Sequence, residues 1–357
     1  MLTTKVEELL EQWKGQTGQP IDVNLPLKIC VVNIIMSIIC GSSFKPNDPE
    51  FDDYQKRIAE NISIIQLANL STFLPVFRLM PNLVGLNRAK ENFDKVYAFL
   101  GKRVDEQAKA VKNLPDGHFD NYAQAFLTKM NKLTETGQPH SFSLKQLIIA
   151  LGDFFVAGFE TTVTTLSWAI LYLCYNPEAQ RQLQRELQEK LGNRLATWDD
   201  RNDLPYANAV ITETQRLANI VPLGVFHRNY EETQLEGYRI PADSIIIVNH
   251  WDVMRDPDIF PSPEKFDPDR FLPGNTSEEE LKRRKDAVIP FSLGRRACLG
   301  ESLARMELFL ILTAIFQTFN VEFDASYPSP SLKPRIGVTL ATRPFKVVLT
   351  QRNLAMS

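Results

Sequence analysis

The stretch Phe291–Gly300 reads FSLGRRACLG and sets a cysteine directly ahead of an apolar segment with helical spacing. A thiol at a helix N-terminus has its thiolate favoured by free backbone N–H groups and by the positive end of the helix dipole. The thiolate is the form that ligates a metal such as iron, so Cys298 is the first candidate ligand. Gly294 and Gly300 carry no side chain, which lets backbone come close to a flat ligand. Arg296, with Arg295 beside it, supplies fixed positive charge, and a guanidinium pairs well with a carboxylate. Phe291 is spaced to pack beside the sulfur and keep water away. Cys30, Cys40 and Cys174 have no such company and read as small buried apolar residues.

A second grouping, Ala157-Gly158-Phe159-Glu160-Thr161-Thr162, lies in the middle of a long apolar segment. Glycine inside a helix costs roughly 1 kcal/mol against alanine, so it usually has a packing or functional reason. A threonine hydroxyl can bond back to the carbonyl one turn earlier. Gly158 and Thr161 together then form a groove beside a ligand, and Glu160 with Thr161 offers a carboxylate and a hydroxyl that relay protons. A threonine cluster packing a helix interface is the plainer reading of the same residues. Glu213 and Arg216, three apart, share one helix face. Taken alone they are a surface ion pair worth less than about 1 kcal/mol. His227 ends the apolar run Val221–Phe226 and, by itself, is an ordinary polar residue.

These groups must be held by a mostly helical chain. Apolar periodicity predicts helices over Thr3–Lys14, Leu27–Cys40, part of Glu50–Leu70, Gly85–Lys112, Asn121–Leu133, Ser143–Tyr175, Pro177–Gly192 and Tyr206–Asn219. After Asn219 the character turns to β: Gln234–Ile240 and Ser244–Val248 are strand-like, with turns at Glu236-Gly237 and Pro241-Ala242-Asp243. Pro257, Pro261, Pro263, Pro268 and Pro273 make Asp256–Asn275 irregular coil. A final helix over Glu301–Phe319 is apolar nearly all round and therefore buried. Strands are expected around Val321–Phe323, Val338–Ala341 and Lys346–Thr350. No composition shift marks a boundary, so residues 1–357 read as one domain: helix-rich 1–219, β and coil with the cysteine loop 220–300, then a buried helix and terminal strands 301–357.

Among 357 residues, 44% are hydrophobic and 23% charged, with a net charge of −3, so nothing points to nucleic acid as a partner. Four scattered cysteines without a C-x-x-C pair argue against structural zinc and against a disulfide framework. Leu27–Cys40 is short for a bilayer span, and Leu144–Cys174 holds Asp153 and Glu160, so both read as helices inside a globular protein.

FSLGRRACLG follows F-x-x-G-x-R-x-C-x-G at every fixed position and resembles the haem-binding signature of the cytochrome P-450 superfamily. Residues 157–162 are similar to that family's oxygen-activation motif, [AG]-G-x-[DE]-T-T, with a bulky Phe159. Glu213-x-x-Arg216 resembles its Glu-x-x-Arg pair, and Pro268-Asp269-Arg270-Phe271 matches the later motif that adds a second arginine. The similarity runs from about Thr3 to the end and leans to the microsomal family 2 branch, whose flavour Ile34–Phe44 and Ala304–Leu310 share. It implies a mainly α fold with a small β region, the triangular helical prism of that family, entered near its fourth lettered helix. The family's N-terminal membrane anchor and first strands would lie ahead of this chain.

The resemblance also implies roles. Haem b would be ligated by Cys298 and held by Phe291, Gly294, Arg296, Gly300 and Ala157. His227 would make a second propionate contact, with Phe226 where relatives often have proline. Glu160 and Thr161 would serve dioxygen activation, and Glu213, Arg216 and Arg270 would lock the helix to the coil leading into the cysteine loop. Phe155, Phe159, Val221, Val225 and Leu340, with Ala157, would contact substrate. The implied function is a haem-thiolate monooxygenase placing one oxygen atom from O2 into an apolar lipid, steroid or xenobiotic. Electrons would come from NADPH through cytochrome P-450 reductase, with or without cytochrome b5, because no G-x-G-x-x-G loop occurs here. The implied location is the cytosolic face of the endoplasmic reticulum membrane. The basic group Lys282, Arg283, Arg284, Lys285 and Arg295 would receive the reductase, or its first four members form a solvated charged turn following Glu278-Glu279-Glu280. A haem-thiolate isomerase or dehydratase, and a non-catalytic haem-binding remnant, are the alternatives; the Glu160–Thr161 pair argues against the former.

Overall fold

The computed structural model describes residues 1–45, 48–68, 82–115, 117–326 and 330–352. The chain forms two compact units, Met1–Gly15 with Asp22–Val163, and Gln16–Ile21 with Thr164–Ser357. The crossing from Val163 to Thr164 falls inside one uninterrupted helix.

In the first unit, α1 (Leu2–Lys14) is amphipathic and buries Val6, Leu9, Leu10 and Trp13, the spacing of one helix face. α2 (Asn24–Cys40) is apolar almost all round and sits in the core. Asn33, the polar residue that interrupts it, is buried and bonds both ways with Phe44, donating to its carbonyl at 2.9 Å and accepting its N–H at 2.7 Å. Gly41 ends α2 in the left-handed region, φ 64°. α3 (Pro49–Ala68) packs on α4 (Leu86–Val111) through a polar contact inside the interface. Asn92, fully buried, donates to Glu60 at 2.8 Å and to Asn61 at 3.0 Å, and accepts from Arg57 at 3.0 Å. Asn69 and Leu70, the tail of the expected third helix, lie outside the described residues. α5 (Tyr122–Glu135) is capped by Asn121, whose side chain accepts the Gln124 N–H at 3.0 Å.

α6 (Leu144–Tyr175) is long and apolar enough to span a bilayer, yet every residue from Thr162 to Leu173 is buried in protein. Its N-terminal half is amphipathic, with Leu147, Leu151, Phe155 and Phe159 inside and Asp153 and Ala157 outside, so the expectation of a helix buried throughout holds only for its second half.

In the second unit, α7 (Pro177–Leu191) starts with proline at N1, and α8 (Pro205–Ala218) does the same. A three-stranded antiparallel sheet runs in the order β1 (Pro20–Ile21), β7 (Val347–Gln351), β6 (Phe319–Phe323). Two buried glutamines of α7 satisfy the free edge of β6: Gln180 exchanges two 2.9 Å bonds with the Val321 backbone, and Gln184 donates to the Phe319 carbonyl at 3.0 Å. β2 (His227–Arg228) pairs with β5 (Ile245–Ile246), and β3 (Thr233–Leu235) with β4 (Tyr238–Ile240). Glu236 (φ 48°) and Gly237 (φ 82°) make the β3–β4 turn, both left-handed as a tight hairpin of this hand requires. A short helix, α9 (His250–Val253), follows.

Three expectations are corrected here. Val338–Ala341 is not a strand: only an Arg335–Ala341 bridge forms, and the Leu340 backbone is taken instead by Ile220 O (2.8 Å) and by Trp168 Nε1 (2.7 Å). Residues Glu278–Ala287 form a helix, α10, rather than a charged turn; Ser277 caps it, three glutamates open it and Arg284 and Lys285 close it, matching the helix dipole. Within it Arg284 is committed to Glu280 and to the Arg270 carbonyl. Finally, α11 (Glu301–Thr318) starts at the expected residue, but its first turns are only partly buried; the fully buried stretch is Glu307–Gln317.

A methyl group at Gly152 would lie 2.6 Å from a ring carbon of Tyr97, which stacks on Phe93 with ring centres 5.9 Å apart. Gly152→Ala gains roughly 1 kcal/mol of helix propensity but meets an overpacking penalty of about 1–3 kcal/mol. A net loss in thermal stability is expected, and Gly152→Ser should fall with it; a raised melting temperature for Gly152→Ala would show that Tyr97 yields freely.

Candidate haem and oxygen site

The acid–alcohol stretch belongs to the first unit. Thr161 donates back to the Ala157 carbonyl at 2.9 Å, one turn earlier. Gly158 is not a groove for a ligand: a Cβ there would come within 2.7 Å of Ile35 Cδ1, so its bare backbone is the place where α2 packs against α6. Two turns before Ile35, Lys28 on α2 reaches Glu160, with Nζ 3.9 Å from the carboxylate and both side chains about four-fifths buried. Phe155 and Phe159 pack against one another in the core of this unit, ring centres 5.8 Å apart, planes tilted by 44° and each 2% exposed. Both side chains are almost wholly covered by other residues of this unit. Ala157, between them in sequence, is on the exposed face because two residues turn a helix by about 200°.

The cysteine loop belongs to the second unit and is bound to itself. Ser292 (φ 60°) and Gly294 (φ 78°) turn the chain left-handed, a 3-10 turn spans Gly294–Arg296, and the Cys298 N–H donates to the Phe291 carbonyl at 2.8 Å. Gly294 is therefore required by its backbone angle, since open space surrounds its Cα. A side chain at Gly300 would lie 3.9 Å from the Cys298 sulfur, so glycine there keeps the ground beside the sulfur clear. Gly300 also caps α11, and its carbonyl accepts the Ala304 N–H at 2.9 Å. Cys298 is exposed, flanked by Leu293 and Leu299, which are 71% and 84% exposed. Phe291 is partly covered by the Arg305 guanidinium, 5.0 Å from its ring centre. The other cysteines differ in kind: burial pushes the Cys40 and Cys174 thiols up, and Cys30 is buried against the Lys5 carbonyl.

Glu213, Arg216 and Arg270 are brought together. Arg216 grips Glu213 with two bonds, 2.6 and 2.8 Å, and neither side chain has any solvent exposure. Arg270 adds a 3.2 Å contact and the Asp267 N–H a 2.9 Å bond. Both guanidiniums also donate to coil carbonyls: Arg216 to Met254 (2.8 Å), Arg270 to Pro261 (3.0 Å) and Lys265 (3.2 Å). Phe260 lies under Arg216, 5.0 Å from ring centre to guanidinium. The coil from 254 to 270 is thus strapped to α8.

The remaining candidates lie on two adjoining backbone segments. Leu340 is partly buried and joined to Ile220 through its N–H. Val221 is partly buried, while Val225 is 79% exposed. His227 is in β2 beside Ile246. Neither the His227 nor the Arg296 side chain forms a hydrogen bond or ion pair with another described residue. Sequence reasoning missed Trp168, His250 and the coil carbonyls; backbone acceptors have no residue signature, and nothing in the spacing singled out the other two.

A family model described as "Cytochrome P450" matches residues 1–349. The chain belongs to the cytochrome P450 family. It is 35% identical over 341 residues to "Cytochrome P450 2J2" of Homo sapiens, covering 94% of this chain and 66% of that one. With "Cytochrome P450 18a1" of Drosophila melanogaster it shares 31% over 360 residues, 99% of this chain and 66% of the relative. The structure titled "Zebra fish cytochrome P450 another structure with Abiraterone" superposes with a TM-score of 0.82 at 27% identity, covering 98% of this chain and 77% of that one. This chain thus spans slightly less than two-thirds of these two curated P450s.

Haem is the cofactor of P450s, and the residues present fit it. An exposed sulfur between exposed leucines, beside a glycine that keeps its flank clear, suits a flat apolar group carrying iron. Arg296 and His227 have donors to give to carboxylates.

Breaking a buried pair costs about 3–5 kcal/mol because the remaining charge stays uncompensated. Glu213→Gln should therefore lower stability by that order, and Arg216→Lys should not restore it, since an ammonium cannot make the two-pronged bond. Chemical denaturation monitors both; near-wild-type midpoints would show that the coil is held by other contacts.

Proposed function

We propose that this chain carries the haem-binding and oxygen-activating parts of a monooxygenase that places one oxygen atom from O2 into an apolar organic substrate. The observation that carries the reading is the Cys298 sulfur, exposed at the head of an 18-residue helix in a loop pinned by the Cys298–Phe291 bond. In P450s bound haem supplies dioxygen binding and O–O cleavage, which a thiolate ligand favours. Every other task falls to the polypeptide. Cys298 would supply the sulfur ligand, and Arg296 and His227 would hold the haem carboxylates. Leu293, Leu299 and Phe291 limit water near the sulfur.

Glu160 and Thr161 handle protons. The Thr161 hydroxyl donates to the Ala157 carbonyl one turn earlier, which fixes its orientation on the helix. Lys28 steadies the Glu160 carboxylate. Val221, Val225, Leu340 and Ala157 are the apolar contacts for substrate, suited to a lipid, steroid or xenobiotic. Electrons come from NADPH through the flavoprotein reductase, on the cytosolic face of the endoplasmic reticulum, the setting suggested by the family 2 relatives.

Two experiments test this reading. Haem-loaded protein, reduced and treated with carbon monoxide, should show the sulfur-ligated Soret band; Cys298→His should abolish it and Cys174→Ser should leave it intact. Survival of the band in Cys298→His removes the assignment. With reductase and NADPH, Thr161→Ala should keep its haem but release several-fold more peroxide per NADPH; unchanged coupling would reduce Thr161 to a packing residue.

A further inference from the structure

His250 was an unremarked histidine in the sequence, and the fold buries it to 4% exposure. Its ring lies against Gly224, where a Cβ would be 3.1 Å from Cε1, 3.6 Å from Nε2 and 3.7 Å from Nδ1. Gly224 itself is left-handed, φ 58°, and closes a turn by donating to the Val221 carbonyl at 3.1 Å. Burial holds the His250 ring below the ordinary histidine range, with the nearby Val221 backbone acting in the opposite direction. The next residue helps: the Trp251 N–H donates to the Pro222 carbonyl at 3.1 Å. α9 is in turn fastened to α8, because Met254 O accepts from Arg216, and Arg255, stacked 3.3 Å from the Trp251 ring centre, donates to the Leu217 carbonyl at 2.5 Å. On the other side of this turn stand Leu223, Val225 and Phe226, which are 45%, 79% and 41% exposed.

We infer that His250 is a positioning residue that clamps the Val221–Phe226 turn and thereby sets which apolar ligands this protein accepts. The turn has one buried side, filled by an imidazole that fits only above a glycine, and one exposed apolar side. Leu223 and Val225, bulky and apolar, stand out in water, which is costly unless they serve as a contact surface. Held from below, they form a pre-organised wall, and a rigid wall discriminates between ligand shapes better than a mobile one. The ligand half of this inference rests on the proposed monooxygenase reading; the clamp half rests on the fold alone.

The test uses the whole chain loaded with haem, with His250→Ala, His250→Phe and Gly224→Ala. His250→Phe keeps a flat ring, replaces the two ring nitrogens and enlarges the ring against Gly224, and so covers the case in which His250→Ala does not fold. Amide hydrogen exchange in a peptide covering 220–227 should quicken about tenfold in His250→Phe, while 205–218 stays protected. Imidazole and 4-phenylimidazole then serve as probes, read by the Soret shift: both ligate iron, and only the second extends an apolar ring. 4-Phenylimidazole should bind about tenfold more weakly in the variants with imidazole unchanged. Gly224→Ala, which intrudes on the ring from the opposite side, should show the same split. Unchanged exchange in 220–227 overturns the clamp. Faster exchange with an unchanged ratio of the two affinities overturns the selectivity role. Wild-type protein whose reduced carbonyl complex lacks the sulfur-ligated spectrum overturns the monooxygenase reading and the ligand half with it, and the exchange result still decides the clamp.

Discussion

A carboxylate with no access to water, held between two guanidiniums, organises the second unit. Glu213 alone would be prohibitively expensive to bury as an ion; with Arg216 and Arg270 it becomes the nucleus of a hydrogen-bonded knot that includes three coil carbonyls and one N–H. Proline-rich coil has few backbone bonds of its own, and its free carbonyls need donors. The two arginines provide them in fork geometry that lysine could not match. From this knot α9 is set through Met254, and from α9 the turn that bears Val221 and Val225.

The first unit depends on a different constraint, the close approach of α2 and α6 at Gly158. Because no side chain stands there, Ile35 can occupy the space a methyl would need. The same approach brings Lys28 to Glu160 and turns Phe155 and Phe159 inward. Packing therefore chooses which face of α6 remains open, and Ala157 with Thr161 is on or beside that face. The proton-handling pair proposed above is a by-product of helix packing as much as of its own chemistry.

Much of this was legible beforehand. The main helices were read to within a few residues, since apolar periodicity is a local signal and proline or asparagine marked several starts. The β3–β4 hairpin was announced by Glu236-Gly237. The helix Glu278–Ala287 escaped because it has almost no apolar face, although its cap and charge order were on display. The strand expected at Val338–Ala341 failed because its backbone bonds go to Ile220 and Trp168, partners more than a hundred residues away.

By itself the sequence determined the chemistry available: a sulfur before a helix, an acid beside an alcohol, a glutamate three residues from an arginine. These are properties of residue type and spacing, which no fold can alter. Tertiary structure alone decided what each glycine and aromatic is for. Gly158 serves a neighbouring helix, Gly294 a backbone angle, Gly224 a buried imidazole, and Phe155 and Phe159 the core. The reason is physical: burial and close approach are set by residues distant along the chain, and a carbonyl that accepts the decisive hydrogen bond is the same in every amino acid.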